Sequence, residues 1–308
     1  MLPTNPAAPV TTIKLDSREG LPVSCPAVRH AASESELARY RRDGYFVRES
    51  VFAIAELERM RASVERVHLR VEAAAGAAGA APVERIDGKR YQDLLGSLVK
   101  WEWQEARADV RSMEPFLHLD PELDALVDDP RLWQPATALC DAPFLALFTD
   151  KLNFKRPGGA VFPWHQDSPY FAFDCPHVDR LVSLQVYLDD ATVENGCLGM
   201  IPGSHLHGRL PCFEDRGRLD RLYTDVDRAL PGAERVPIEA PAGSVIFFDG
   251  DVVHGSLGNR TRSSRRAFVL TYQPAGFAQF RRPGERRVSC AAGSAPPAPP
   301  TRPAPPNA

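Results

Sequence analysis

Residues 180–205 read RLVSLQVYLDDATVENGCLGMIPGSH. Apolar and polar positions alternate from Leu181 to Leu188, and the turn signals Glu194-Asn195-Gly196 and Pro202-Gly203-Ser204 follow, a pattern of short antiparallel strands. FLALFTDKLNFKRP at 144–157, GSVIFFDG at 243–250 and RRAFVLTYQPA at 265–275 repeat it, separated by Pro-Gly-Gly, Pro-Ala-Gly and Gly-Asn turns. Upstream the period changes. SESELARYRRDG, from Ser33, predicts a helix capped by Ser33 or Ser35 and closed at Gly44, before a short strand. Residues 54–75 place apolar side chains at helical spacing between charges, a long amphipathic helix that ends in a flexible AGAAGAAP connection. Asp120 before Pro121 predicts a further helix start. Helices first and strands afterwards predict a mainly β fold with N-terminal helices and a double-stranded β-helix (jelly roll) core. The expected organisation is an extended leader over 1–32, a single domain over 33–290 and a disordered Ala/Pro-rich tail over 291–308.

A chain of 308 residues with 44% hydrophobic composition can bury a large core. Its net charge of −3, without a basic cluster, gives no footprint for nucleic acid or a membrane surface. No segment has the run of ~18 apolar residues of a transmembrane helix, and the N-terminus lacks a signal-peptide pattern. The six cysteines show no Cys-x-x-Cys spacing, so free thiols in a reducing, cytoplasmic setting are expected, with a small molecule as partner.

His-x-Asp occurs three times, at His118-Leu-Asp120, His165-Gln-Asp167 and His177-Val-Asp179. Such a triplet recurs by chance, so context must choose. Asp120 is already placed as a helix cap. His177-Val-Asp179 follows Cys-Pro in a loop and precedes Arg180, a ready ion-pair partner for Asp179, so it reads as surface. In WHQDSPY, residues 164–170, His165 and Asp167 would share one face of a strand. Such a pair needs a third ligand, and His254, in FFDGDVVHGSLGN, is the candidate. Two His and one carboxylate on one face of an ion leave open positions that suit non-haem Fe(II) and dioxygen.

WHQD at 164–167, ENGCLGMIPGSH at 194–205 and HGSLGNRTRSSR at 254–265 together resemble the phytanoyl-CoA dioxygenase family of Fe(II)/2-oxoglutarate-dependent oxygenases. The resemblance covers roughly 34–276 in order of elements and is strongest over 151–272. It implies that His165, Asp167 and His254 bind iron and that Arg265, eleven positions after His254, holds the remote carboxylate of 2-oxoglutarate. A guanidinium fork matches a carboxylate in two parallel bonds. Ser256 matches a family serine that also meets the cosubstrate. Gln185 stands where the phytanoyl-CoA enzyme has a cosubstrate-contacting Trp, a departure that changes the contact. Lys151 and Asn153, on one strand face, could reach the same cosubstrate. Arg266 should point away. The implied reaction is hydroxylation of a C–H bond by dioxygen with release of succinate and CO2; retention of Asp167 disfavours halogenation.

Trp164, Tyr170, Phe171 and Tyr223 are expected around the substrate, with 84–105 and 206–236 as candidate walls or lids. Their mixed charge and aromatics suit a polar or amphiphilic metabolite, amino-acid-derived among the options. His205 is expected to organise its loop and His207 to be solvated. The competing reading is a non-oxidative metal-dependent enzyme, or a binding protein, on a cupin-like barrel, which has no need of Arg265.

Overall fold

The computed structural model describes residues 30–104, 107–172 and 175–280, with the backbone of 288–289. Residues 1–29 of the expected leader and the expected tail at 291–308 lie outside them.

The first helix, α1 (Glu34–Asp43), starts on a capping box in which Glu36 N–H donates to Ser33 Oγ and Ser33 N–H to the Glu36 carboxylate. It stops where Gly44 takes φ 85°, a left-handed position that costs glycine no Cβ clash. Strand β1 (Tyr45–Arg48) follows, then α2 (Ile54–Ala75). Leu57, Met60, Val64, Val67 and Val71 form the buried stripe of α2 at helical spacing. Each such side chain contributes roughly 1.5–3 kcal/mol when taken out of water. Farther on, α3 (Pro121–Asp124) begins on Asp120, whose carboxylate accepts the N–H groups of Glu122 and Leu123, and α4 (Pro130–Leu139) begins on Asp129 in the same manner.

The remaining strands are β2 (Glu84–Ile86), β3 (Lys89–Leu94), β4 (Ser97–Trp101), β5 (Val110–Glu114), β6 (Leu145–Asn153), β7 (Phe162–His165), β8 (Val182–Tyr187), β9 (Leu198–Met200), β10 (Val236–Ile238), β11 (Val245–Asp249), β12 (His254–Ser256), β13 (Ala267–Pro274) and β14 (Val288–Ser289). Among the described residues they build two antiparallel sheets. The larger runs β1-β11-β8-β13-β6-β5-β4-β3-β2, with β14 beside β6, and the smaller runs β10-β9-β12-β7. This is the expected jelly roll.

Alternation divides the large sheet. Val182, Leu184, Val186, Phe268, Leu270 and Tyr272 join the core under α2 and α4. The opposite face aligns Gln185 with Val269 and Lys151, and Tyr187 with Ala267 and Asn153. An apolar cluster of Tyr187, Met200, Ile246, Phe248 and Ala267 fills one part of that interior. The rest is polar, and the candidate site lies there.

One expectation fails in detail. Apart from the short strand after Gly44, strands were expected only after residue 144, yet β2–β5 lie between the helices and extend the large sheet. Their inward residues Tyr91, Lys100 and Ser112 continue the row from Asn153. Charged and aromatic residues facing a polar interior give this segment neither an apolar run nor a clean alternation.

Candidate active site

His165 closes β7 and His254 opens β12, and the two pair directly in register. Their ring centroids are 4.3 Å apart. His165 Nδ1 donates to Pro163 O at 2.8 Å and His254 Nδ1 to Val252 O at 3.0 Å. A carbonyl only accepts, so each Nδ1 carries the proton and each Nε2 keeps its lone pair. Those Nε2 atoms lie 3.7 and 3.8 Å from Asp167 Oδ1. The three ligand atoms all fall within 4.8 Å of one another, the geometry of a metal site. Burial, with His254 and Lys151 nearby, holds the His165 pKa well below the ordinary histidine range, so its ring is neutral and ready to ligate.

Asp167 reaches this point by a different route from the one expected. It is not in a strand: β7 ends at His165, and Asp167, at φ −76° and ψ −37°, precedes the helical turn α5 (Ser168–Phe171). Gly250 O accepts both the Asp167 and the Ser168 N–H, at 2.9 and 3.1 Å, and fixes the turn against the segment leading to His254. Ser183 Oγ donates to Asp167 Oδ2 at 3.3 Å.

Arg265 and Arg266 diverge as expected. Arg266 binds Asp189 at 2.8 Å and Glu65 at 3.0 Å, and lines a cleft of about 500 Å³ with Arg61, Asp189 and Ser264 that contains none of the candidate residues. Arg265 is 2% exposed. Its Nη2 donates to Gly196 O at 2.9 Å, its guanidinium lies over the Tyr187 ring at 5.6 Å, and its Nε has no partner among the described residues. Burial lowers its pKa. Ser256, two residues beyond His254 on β12, is buried and accepts a 2.6 Å bond from Lys155 Nζ. Asn153 is buried with its Oδ1 unpartnered among the described residues, and Gln185 is buried on the inward face. Lys151 sits over the Phe162 ring at 5.3 Å, and burial, then Lys100, pulls its pKa down to about 8. Buried cationic and polar groups with unmet hydrogen bonds are what a small dicarboxylate would satisfy, so the residues present fit 2-oxoglutarate.

The four aromatic candidates separate. Tyr170 meets the His165 ring edge-on at 5.9 Å, and Tyr223 forms a β-bridge with His165. Trp164, expected at the substrate, faces away. It alternates with His165 and packs over Gly199 and Gly255, whose lack of a Cβ makes room for its ring. Phe171 is also diverted, into a cluster with Phe148 at 5.0 Å and Phe280 at 5.3 Å. The two candidate walls join each other: the Asp87 carboxylate accepts the N–H groups of Arg218, Leu219 and Asp220, and Lys89 pairs with Asp220.

The rejected triplets have other work. Asp120 caps α3 and pairs with Arg66 at 2.8 Å, while His118 bonds Leu95 O. His177 bonds Gln273 at 2.9 Å and stacks on Phe277, and Asp179 is exposed. Arg180 does not serve Asp179 as expected but donates to Asp141 O at 2.8 Å. His205 ties its loop to Arg41 O, and His207 is exposed. Cys140, Cys175, Cys197 and Cys212 are free thiols; Cys25 and Cys290 lie outside the described residues.

Two residues escaped the sequence reading. Gln166, between the ligands, is fully buried; its amide donates to Gly208 O and Asp251 O and accepts from Leu210 N–H, which joins β7 to both neighbouring segments. Its position opposite the ligands was a signal. Lys155 continues the Lys151, Asn153 alternation, but it lies beyond the end of β6.

Comparison with known proteins agrees with this geometry. The sequence model for Phytanoyl-CoA dioxygenase (PhyH) matches residues 40–267. Ectoine dioxygenase from Stutzerimonas stutzeri is 30% identical over 253 residues, 76% of this chain and 74% of that protein. Methylphosphonate hydroxylase from Gimesia maris is 34% identical over 137 residues, 44% of this chain, and there the chain spans about half of the relative, 48%. Among solved structures, EctD from S. alaskensis with 2-oxoglutarate and 5-hydroxyectoine superposes with a TM-score of 0.60 at 25% identity, covering 82% of this chain and 80% of that one. Because the family match runs from α1 into β13 and takes in both histidines, the aspartate and the arginine behind them, the chain belongs to the phytanoyl-CoA dioxygenase family of Fe(II)/2-oxoglutarate-dependent oxygenases.

Proposed function

We propose that this protein hydroxylates a C–H bond of a small polar metabolite, with dioxygen and 2-oxoglutarate consumed and succinate and CO2 released. The observation that carries this reading is the convergence of His165 Nε2, His254 Nε2 and Asp167 Oδ1 within 4.8 Å, on one face. These atoms would hold Fe(II), which supplies the activation of dioxygen. The chain does the rest. The carbonyls of Pro163 and Val252 hold both imidazoles in the ligating tautomer, and Ser183 orients the carboxylate. Arg265 and Ser256 take the remote carboxylate of the cosubstrate, beside Asn153, Gln185 and Lys151. Tyr170, Tyr223 and the two candidate walls, which join through Asp87 and Lys89, orient the substrate and exclude water. Burial raises the pKa values of Tyr170 and Tyr223, so both phenols stay neutral; the Tyr170 hydroxyl can serve a polar substrate as a hydrogen-bond donor, while Tyr223 bonds Asp220.

A small polar substrate is further supported by the relatives, whose names give methylphosphonate and ectoine. No helix of the described residues is long and apolar enough to cross a membrane. We place the reaction in the cytoplasm on the strength of the four free thiols.

The test begins with anaerobic Fe(II) and 2-oxoglutarate, which should give a visible metal-to-ligand charge-transfer band. Isotopically labelled dioxygen is then admitted with a panel of phosphonates and amino-acid derivatives, and label should enter the product hydroxyl. Iron bound to folded protein with no band on adding 2-oxoglutarate would overturn the oxygenase reading in favour of a non-oxidative metal-dependent enzyme.

A further inference from the structure

Lys155 is 1% exposed, and no carboxylate pairs with it among the described residues. Lysine is almost never buried without a partner. Its Nζ donates to Ser256 Oγ at 2.6 Å and lies over the Phe162 ring at 5.1 Å. Burial and the neighbouring Arg265 guanidinium pull its pKa down to about 6. Two basic groups are thus enclosed together in a low-dielectric interior, where the lysine sheds its proton unless an anion joins them and restores the ammonium.

The backbone holds the pair in place. Lys155 takes φ 35°, a left-handed conformation that strains a residue with a side chain. Its carbonyl accepts the Arg265 N–H at 3.1 Å and Asn259 Nδ2 at 3.0 Å. Gly196 completes the enclosure: its carbonyl binds Arg265, and a Cβ there would stand 2.7 Å from Lys155 Cε. These contacts tie the lysine and the arginine to one another, with the lysine ammonium position held at Ser256.

Resting on the 2-oxoglutarate reading above, we propose that Lys155 is a second anchor for the remote carboxylate, which its ammonium shares with Arg265 across the Ser256 hydroxyl. A carboxylate at that point supplies the missing counter-charge for both cations and accepts the unused Arg265 Nε–H. The strength of this clamp makes the protein demand a 2-oxo acid with a carboxylate at the far end.

The test uses full-length Fe(II)-loaded protein without oxygen, titrated with 2-oxoglutarate and read by the charge-transfer band. Lys155→Met should weaken binding about 30-fold, the loss of a charge-assisted contact, with Fe(II) affinity and melting temperature near wild type. Lys155→Arg should recover most of the affinity. Because both cations hold one carboxylate, Lys155→Met combined with Arg265→Met should lose less than the product of the single effects. A Lys155→Met protein that binds 2-oxoglutarate as wild type does would overturn the proposal. So would a loss matched by an equal loss of Fe(II) affinity, the mark of a merely structural lysine; Lys155→Gln gives the same reading if the methionine variant fails to fold. A wild-type protein that shows no band refutes the cosubstrate reading itself, and the proposal with it.

Discussion

Replacing Arg265 by methionine separates a cosubstrate anchor from an ordinary buried arginine. A remote carboxylate would take two charge-assisted hydrogen bonds from the guanidinium, at about 1.5–3 kcal/mol each. Truncating one partner of a buried charged pair costs about 2–5 kcal/mol, so a loss of ~3 kcal/mol, on the order of 100-fold in 2-oxoglutarate affinity, is expected. Arg265→Lys keeps the charge and loses the fork, and should fall in between. The effect on the apo-protein has a different balance. Methionine removes a buried cation that has no carboxylate partner among the described residues, but it also leaves Gly196 O without its 2.9 Å donor. That orphaned carbonyl costs about 1–3 kcal/mol, comparable with the desolvation relieved, so the apo melting temperature should move by no more than about 4 °C. Anaerobic titration of the charge-transfer band gives the affinity, and calorimetry of the apo-protein gives the stability. Affinity that stays within about threefold of wild type, or a collapse of apo stability as large as the affinity loss, would refute the anchor role. Arg266→Met is the control. It breaks the ion pairs to Asp189 and Glu65, so it should cost stability and leave 2-oxoglutarate affinity alone.

Asp167→Ala should abolish tight Fe(II) binding in an equilibrium metal titration, whereas Asp120→Ala, which loses a helix cap worth about 1 kcal/mol, should bind iron normally at a lower melting temperature. Iron loss in the Asp120 variant, with its fold intact, would mean that the wrong triplet had been chosen. Gly196→Ala places a side chain at φ 75° with its Cβ 2.2 Å from Leu257 O and 2.7 Å from Lys155 Cε; strain and overpacking together should cost about 2–4 kcal/mol in denaturant unfolding and weaken 2-oxoglutarate binding. Normal stability in that variant would show that the turn relaxes freely and that the enclosure around Lys155 is not rigid.

The sequence by itself determined the caps at Ser33, Gly44 and Asp120, the buried stripe of α2, and the alternation of β6, β8, β11 and β13, because each depends on neighbours within a few positions. It also allowed the triad and Arg265 to be chosen, since their spacing matches a family pattern. Tertiary structure decided what depends on contacts between distant segments. Asp167 meets the histidines through a turn held by Gly250 O, not through strand alternation. Trp164 and Phe171 look equivalent to Tyr170 in WHQDSPYF, yet paired glycines on neighbouring strands accept the first and a satellite cluster takes the second. The strands β2–β5 gain their order by hydrogen bonding beside β6, so their charged residues carry little local signal. Lys155 shows the difference most clearly. Its identity and place in the chain were legible, but its burial beside Arg265 and Ser256 is created by three segments, around residues 155, 196 and 256–265, that are distant in sequence, and only folding brings their charges together.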